Sequence, residues 1–363
     1  MKRRLCVVLA LALSSSVVWA AGEKLLTKPA KAAAPAAVQP AAPATPAAPK
    51  GQIADHCINQ LLAARNAAPG VKQADAPAFA DQEAAYLAYD QGKFLTALSL
   101  AEGAAGRGNP QAHTLVARIH DEGQGVPKDP ITAARWYARG AELCDVPALF
   151  SYGLMLAEGR GVGKDRVLAG EMLEKAAISG HALANYNLGL LFLRGDGKPE
   201  NPYRAAQHIE YAAEKGVAAA QYDIGSMYQS GVGVATDGVK ASLWLNRAAA
   251  AGYTAAQYDY AVLLLKGLGL EKDKGKTVEY LLAAAEKGIP GAQNRLAYLL
   301  KDGLGVEKNL IEAAKWRMLA KQGSVIDDAL DAEVAKLSTS DRATAAAAVT
   351  AYYEKRGVSG QGK

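Results

Sequence analysis

Residues Ala220 to Gly252 read AQYDIGSMYQSGVGVATDGVKASLWLNRAAAAG. Ala220, Ile224, Gly225 and Tyr228 fall at helical spacing, so the first half predicts an amphipathic helix with a small residue where a neighbour must come close. Gly231 stops that helix, since glycine suits the left-handed conformation that closes one. Gly233 then lets the chain turn before Val234 drops an apolar plug back onto the pair. Asp237 starts a second helix, its carboxylate accepting from the free N–H groups of the next turn, a cap worth about 0.5–2 kcal/mol. That helix packs through Ala241, Trp244, Leu245, Ala248 and Ala249, and Gly252 ends it.

The same plan returns at an unbroken spacing of 36 residues. Gly123, Gly159, Gly195, Gly231, Gly267 and Gly303 each open a G-x-G pair. Asp129, Asp165, Asn201, Asp237, Asp273 and Asn309 fill the cap position that follows, and Ala112, Ala148, Ala184, Ala220, Ala256 and Ala292 precede the glycines. At the position of Trp244 stand Trp136, Met172, His208, Tyr280 and Trp316. Each unit is a helix hairpin with one apolar face too many, and stacking buries that face.

The flanks read differently. Residues 1–20 have a basic start (Lys2, Arg3, Arg4), an apolar run from Leu5 to Leu13 and Val18-Trp19-Ala20, the pattern of a signal peptide cut after Ala20. The apolar run is too short to span a bilayer, so no stable membrane insertion is expected and the mature protein is expected to be periplasmic or secreted. Residues 21–54 form a linker whose Thr27–Lys50 stretch is almost all Ala, Pro, Lys and Thr, a composition that buries no core. Residues 55–111 predict a short helix (55–67), a loose connection (Pro69–Ala80) and a hairpin turning at Gly92. Residues 325–356 predict two closing helices, Ile326–Leu337 and Ser340–Arg356, the second capped by Ser340 or Thr339, ahead of a tail at 357–363.

The repeat residues resemble the SLR family, the Sel-one-like repeats: Ala-Gln-Tyr at 220–222 and 256–258, Leu188-Gly189, and the loop valines Val126, Val162, Val234 and Val306 after the second glycine. The resemblance covers residues 112–324. It implies an all-α, right-handed α/α superhelical solenoid that presents surfaces to other proteins and is not an enzyme. Departures fall at His120, Lys198, Leu270 and Thr277.

Losing Lys2, Arg3 and Arg4 takes the 41 basic residues to 38 against 36 acidic, a net charge of +2, which argues against a nucleic-acid partner. Gly159-Arg160-Gly161-Val162-Gly163-Lys164 imitates a phosphate loop but has Glu158 where that motif needs glycine and Asp165 where it needs Ser or Thr. His113 and His120 share a helix without the three or four convergent ligands a metal needs; His120 is read as a buried or half-buried packing residue and His113 as a surface one. No catalytic residue, cofactor or metal is expected. Cys57 and Cys144 remain after cleavage, either as a disulfide or as two buried thiols.

Phe150, Tyr186, Tyr222 and Tyr258 occupy equivalent positions in four consecutive first helices. With Leu154, Leu190, Leu193, Val262 and Leu265 they either line a groove for a partner or wedge neighbouring hairpins together. The expected function is an exported interaction scaffold that binds a cell-envelope partner on the concave face. The alternatives are a periplasmic negative regulator of an envelope sensor and a cell-wall or antibiotic hydrolase.

Overall fold

A computed structural model describes residues 57–60, 77–267 and 271–357. The signal peptide, the linker, the rest of the 55–67 helix, Leu270 and the tail beyond Gly357 lie outside the described residues. Within them the chain is helical, with no strand. A first hairpin, α1 (Pro77–Asp90) and α2 (Phe94–Gly106), is followed by α3 (Pro110–Glu122) and α4 (Pro130–Glu142), α5 (Val146–Glu158) and α6 (Arg166–Ile178), α7 (Ala182–Arg194) and α8 (Pro202–Glu214). Then come α9 (Ala218–Ser230) and α10 (Gly238–Ala250), α11 (Thr254–Lys266) and α12 (Lys274–Glu286), α13 (Pro290–Asp302) and α14 (Leu310–Gln322). The short α15 (Asp328–Ala335) and α16 (Thr339–Lys355) close the end. Each helix packs chiefly on its neighbours in sequence. First and second helices therefore form two layers of an all-α, right-handed α/α solenoid, with no single central core.

The loops show why the glycines recur. In the fourth copy the Gly231 N–H donates to Met227 O (2.8 Å), and the Asp237 N–H returns to Tyr228 O (2.9 Å), closing the loop at both ends. The Asp237 carboxylate then accepts from the N–H groups of Val239 and Lys240, and each of the other five cap residues likewise accepts from the following turn. The second glycine does more than turn the chain. A Cβ on Gly233 would lie 2.0 Å from Pro202 O, the first residue of the preceding second helix, and Gly161 meets Pro130 O in the same way. This glycine is the contact through which one copy stacks on the last.

Small residues in the first helices serve the hairpin itself: a Cβ on Gly189 would come within 2.6 Å of Ile209. At the end of each second helix a left-handed residue reverses the chain. It is glycine at 108, 180, 216, 252 and 288, but Cys144 (φ 61°) and Ser324 (φ 65°) hold the same conformation, at a cost of about 1–2 kcal/mol. Cys144 is bonded to Cys57, with Cα atoms 5.3 Å apart. Cys57 is fully buried among Ala117, Tyr137 and Ala141, well past the first hairpin rather than ahead of it.

Three expectations need correction. Helix α1 begins at Pro77, inside the stretch read as a loose connection, because Ala85 and Ala88 give it a face to bury. Ser338, not Ser340 or Thr339, caps α16, its hydroxyl accepting from Asp341 N–H. His113 is not a surface residue but 5% exposed, with Nδ1 2.8 Å from Asn109 O and its ring against Trp136; His120 is half-buried, as read.

Candidate functional site

The first helices carry the aromatic row. Phe150, Tyr186, Tyr222 and Tyr258 are all half-buried, as are Leu154, Leu190, Leu193, Val262 and Leu265. The rings stack on the residue that precedes the next first helix: Phe150 on His181 (centroids 4.6 Å apart) and Tyr222 on Tyr253 (5.1 Å). The tyrosine hydroxyls reach in the same direction. Tyr186 donates to Asp223 Oδ2 and Tyr222 to Asp259 Oδ2, each at 2.9 Å, and Tyr258 accepts from Arg295 Nε at 3.1 Å. Each tyrosine thus ties its copy to the residue 37 places on, a role the sequence period alone does not display.

Burial shapes the electrostatics of this face. It raises the hydroxyl pKa of Tyr186 and Tyr222, with the neighbouring Asp223 and Asp259 charges adding to it. Asp223 is itself pushed up to about 6 by burial, against the opposing hydrogen bond from Tyr186, and burial raises Asp259 too. The face therefore offers hydroxyl and carboxyl groups already paired with one another, flanked by apolar side chains. Among the described residues no group of three His, Cys, Asp or Glu side chains is placed to hold a metal ion, and no helix is long and apolar enough to cross a membrane.

Residues that resembled a phosphate loop have other partners. Arg160 pairs with the buried Asp121 of the preceding copy and with Glu158 at 3.1 Å. Lys198, the departure from the loop valine, forms an ion pair with Glu174 at 2.5 Å. Thr277 is fully buried because its hydroxyl donates to Asp273 O at 2.6 Å.

A second row went unread in the sequence. Leu95, Ile131, Val167, Tyr203 and Val239, each one repeat apart at the second position of a second helix, are all more than half exposed. The signal was present as an apolar residue two places after Asp129, Asp165, Asn201 and Asp237, and at the equivalent Leu95.

The hairpins match the model of the Sel1 repeat over residues 110–143, 146–181, 182–217, 218–253, 254–289 and 290–316. The chain is 31% identical to a Sel1 repeat protein from Oxalobacter formigenes, over 68% of this chain and 99% of that one, with a TM-score of 0.58. It is also similar to c5321, a protective antigen of uropathogenic Escherichia coli strains displaying an SLR fold (20% identity, 79% of this chain and 88% of that one, TM-score 0.44). A third similarity is to the immunity protein Pa5087 from Pseudomonas aeruginosa (21% identity, 60% and 84%, TM-score 0.37). No curated protein matches the chain. Sel1 repeats act as protein–protein interaction scaffolds. With six repeats matched over more than half its length, the chain belongs to the Sel1 repeat family.

Proposed function

We propose that the protein is an exported scaffold that docks a cell-envelope partner across its first-helix layer. The observation that carries this reading is the row of four half-buried aromatic residues in consecutive copies, flanked by half-buried leucines and a valine. Aromatic side chains that keep part of their surface while their hydroxyls are fixed give rigid anchors at low entropic cost. The signal-peptide pattern of residues 1–20 and the Cys57–Cys144 bond both suit an oxidising compartment outside the cytoplasm.

The test is crosslinking of the tagged mature protein in cells, followed by mass spectrometry of what it captures. A dominant envelope partner that disappears with Tyr222→Ala/Tyr258→Ala, at a melting temperature close to wild type, is the expected result. A large fall in melting temperature would reduce the row to a wedge between hairpins. Absence of any reproducible partner would sink the scaffold reading.

A further inference from the structure

The last copy shows how a helix seats itself on the second-helix layer. Helix α16 lays Tyr352 against Trp316, edge-on with centroids 5.9 Å apart, and the Tyr352 hydroxyl lies 3.3 Å from Ala285 O, 3.2 Å from Glu286 O and 3.5 Å from Gln293 Nε2. One turn later Arg356 donates to Glu286 O at 2.7 Å, its guanidinium 5.3 Å from the Tyr352 ring. Ala285, Glu286, Gln293 and Trp316 thus make a seat for a tyrosine carried on a helix.

Three repeats earlier the same four positions are Ala177, Ile178, Asn185 and His208, and they line a cavity of about 280 Å³ together with Glu174, Arg204 and Tyr211. Here an imidazole stands where Trp136, Trp244, Tyr280 and Trp316 place larger rings and Met172 a flexible chain. The cavity is preformed. Asn185 donates its amide N–H groups to Ala177 O and His181 O, so its Oδ1 accepts, at 2.9 Å, the proton on His208 Nδ1. His208 Nε2 is then an acceptor. The imidazole also stacks on Phe192 (5.8 Å, 5°), whose ring lies 4.3 Å from the Arg204 guanidinium. Burial, and after it Arg204, lower the His208 pKa against the opposing Glu174 charge, which favours this neutral form.

We propose that the His208 cavity is a socket for a tyrosine presented by a partner's amphipathic helix, in the manner of Tyr352 on α16. The ring lies against the imidazole as Tyr352 lies against Trp316, and its hydroxyl donates to His208 Nε2. This socket lies on the second-helix layer and does not depend on the reading of the aromatic row.

The test uses the full chain with two probes, p-cresol, which is the tyrosine side chain alone, and a synthetic Thr339–Gly357 peptide. The readouts are the Ile178 methyl and His208 ring resonances. The control variant His208→Trp/Tyr211→Arg rebuilds the pair that closes this place in the fourth copy, where Arg247 lies 4.6 Å from the Trp244 ring. Saturable shifts with both probes are expected, weakened at least about ten-fold by Tyr352→Ala in the peptide and by the double variant at an unlowered melting temperature. No shift with either probe, equal binding of both peptides, or binding retained by the double variant would overturn the proposal.

Discussion

Burial beside Tyr186 holds the Asp223 carboxyl up at about 6, whereas the hydrogen bond from Arg317, with Lys321 behind it, holds Asp331 down at about 2. The two groups therefore pull stability in opposite directions with pH. A raised carboxyl favours the protonated form in the fold, so the contribution of Asp223 is complete below about 3.8 and is lost as the pH climbs through about 6. Asp223→Asn, which keeps an acceptor for the Tyr186 hydroxyl, is expected to exceed wild type by about 2 kcal/mol near neutrality and to match it near pH 4; urea midpoints at the two pH values decide this. Asp331 acts above about pH 4, and its contribution vanishes as the pH falls through about 2. Asp331→Asn should thus be the less stable protein at neutral pH, because it weakens the hold on the buried Arg317. Ser324 offers a gain, since its φ of 65° suits glycine. Ser324→Gly is expected to add about 1 kcal/mol, seen as a higher melting temperature. Of these effects only the left-handed positions were legible in the sequence, as a column of glycines broken at 144 and 324. The Asp223 shift comes from burial and the Asp331 shift from Arg317, 14 residues before it, and a period shows which residues are alike without showing which ones touch.

At the scale of an element the loop is the most readable part of the molecule. Six identical offsets between glycine and Asp or Asn leave one solution, a helix closed by the first glycine and another opened by the cap. What the offsets conceal is that the second glycine belongs as much to the preceding copy as to its own. Gly233→Ala should accordingly cost more than Gly231→Ala: both positions have positive φ, but the Gly233 Cβ meets a backbone carbonyl at 2.0 Å, whereas the Gly231 Cβ meets the Thr236 methyl at 3.0 Å. We expect roughly 1–2 kcal/mol for Gly231→Ala and several for Gly233→Ala. Gly163, where a Cβ meets nothing within 4 Å, should accept alanine without loss. Chemical denaturation of the three variants ranks them, and equal losses at 231 and 233 would refute the stacking role. The first helices also change character along the chain. Asn109, Asp145 and His181 cap the first three copies with side-chain acceptors, while Val217, Tyr253 and Ile289 stand uncapped in the last three. The residue there also serves the aromatic row, as Tyr253 does for Tyr222 and the capping His181 for Phe150.

At the scale of the whole molecule the repeat count and the layer order could be read directly, because a stack of local hairpins has few competing topologies. The His208 cavity could not: a histidine in a column that already holds tryptophan, methionine and tyrosine looks like a tolerated substitution until α16 shows what seats itself at that place. The disulfide was one of two readings, and it changes the behaviour of the entire N-terminal end. It closes a stretch of 87 residues, which for chain entropy alone is worth roughly 4–5 kcal/mol. Cys57→Ser/Cys144→Gly should recover part of that loss by relieving the left-handed cysteine. Its urea midpoint should be indifferent to reductant, whereas that of wild type should fall. The bond also governs how the protein carries load. Helices α1 to α4 all lie between the two cysteines, so tension applied through the N-terminal segment passes from Cys57 to Cys144 and enters the stack at the start of α5. The first two hairpins hang beside the line of force as slack. Under reducing conditions they would become the first links to be pulled apart, and the protein would lengthen before the rest of the stack felt the strain.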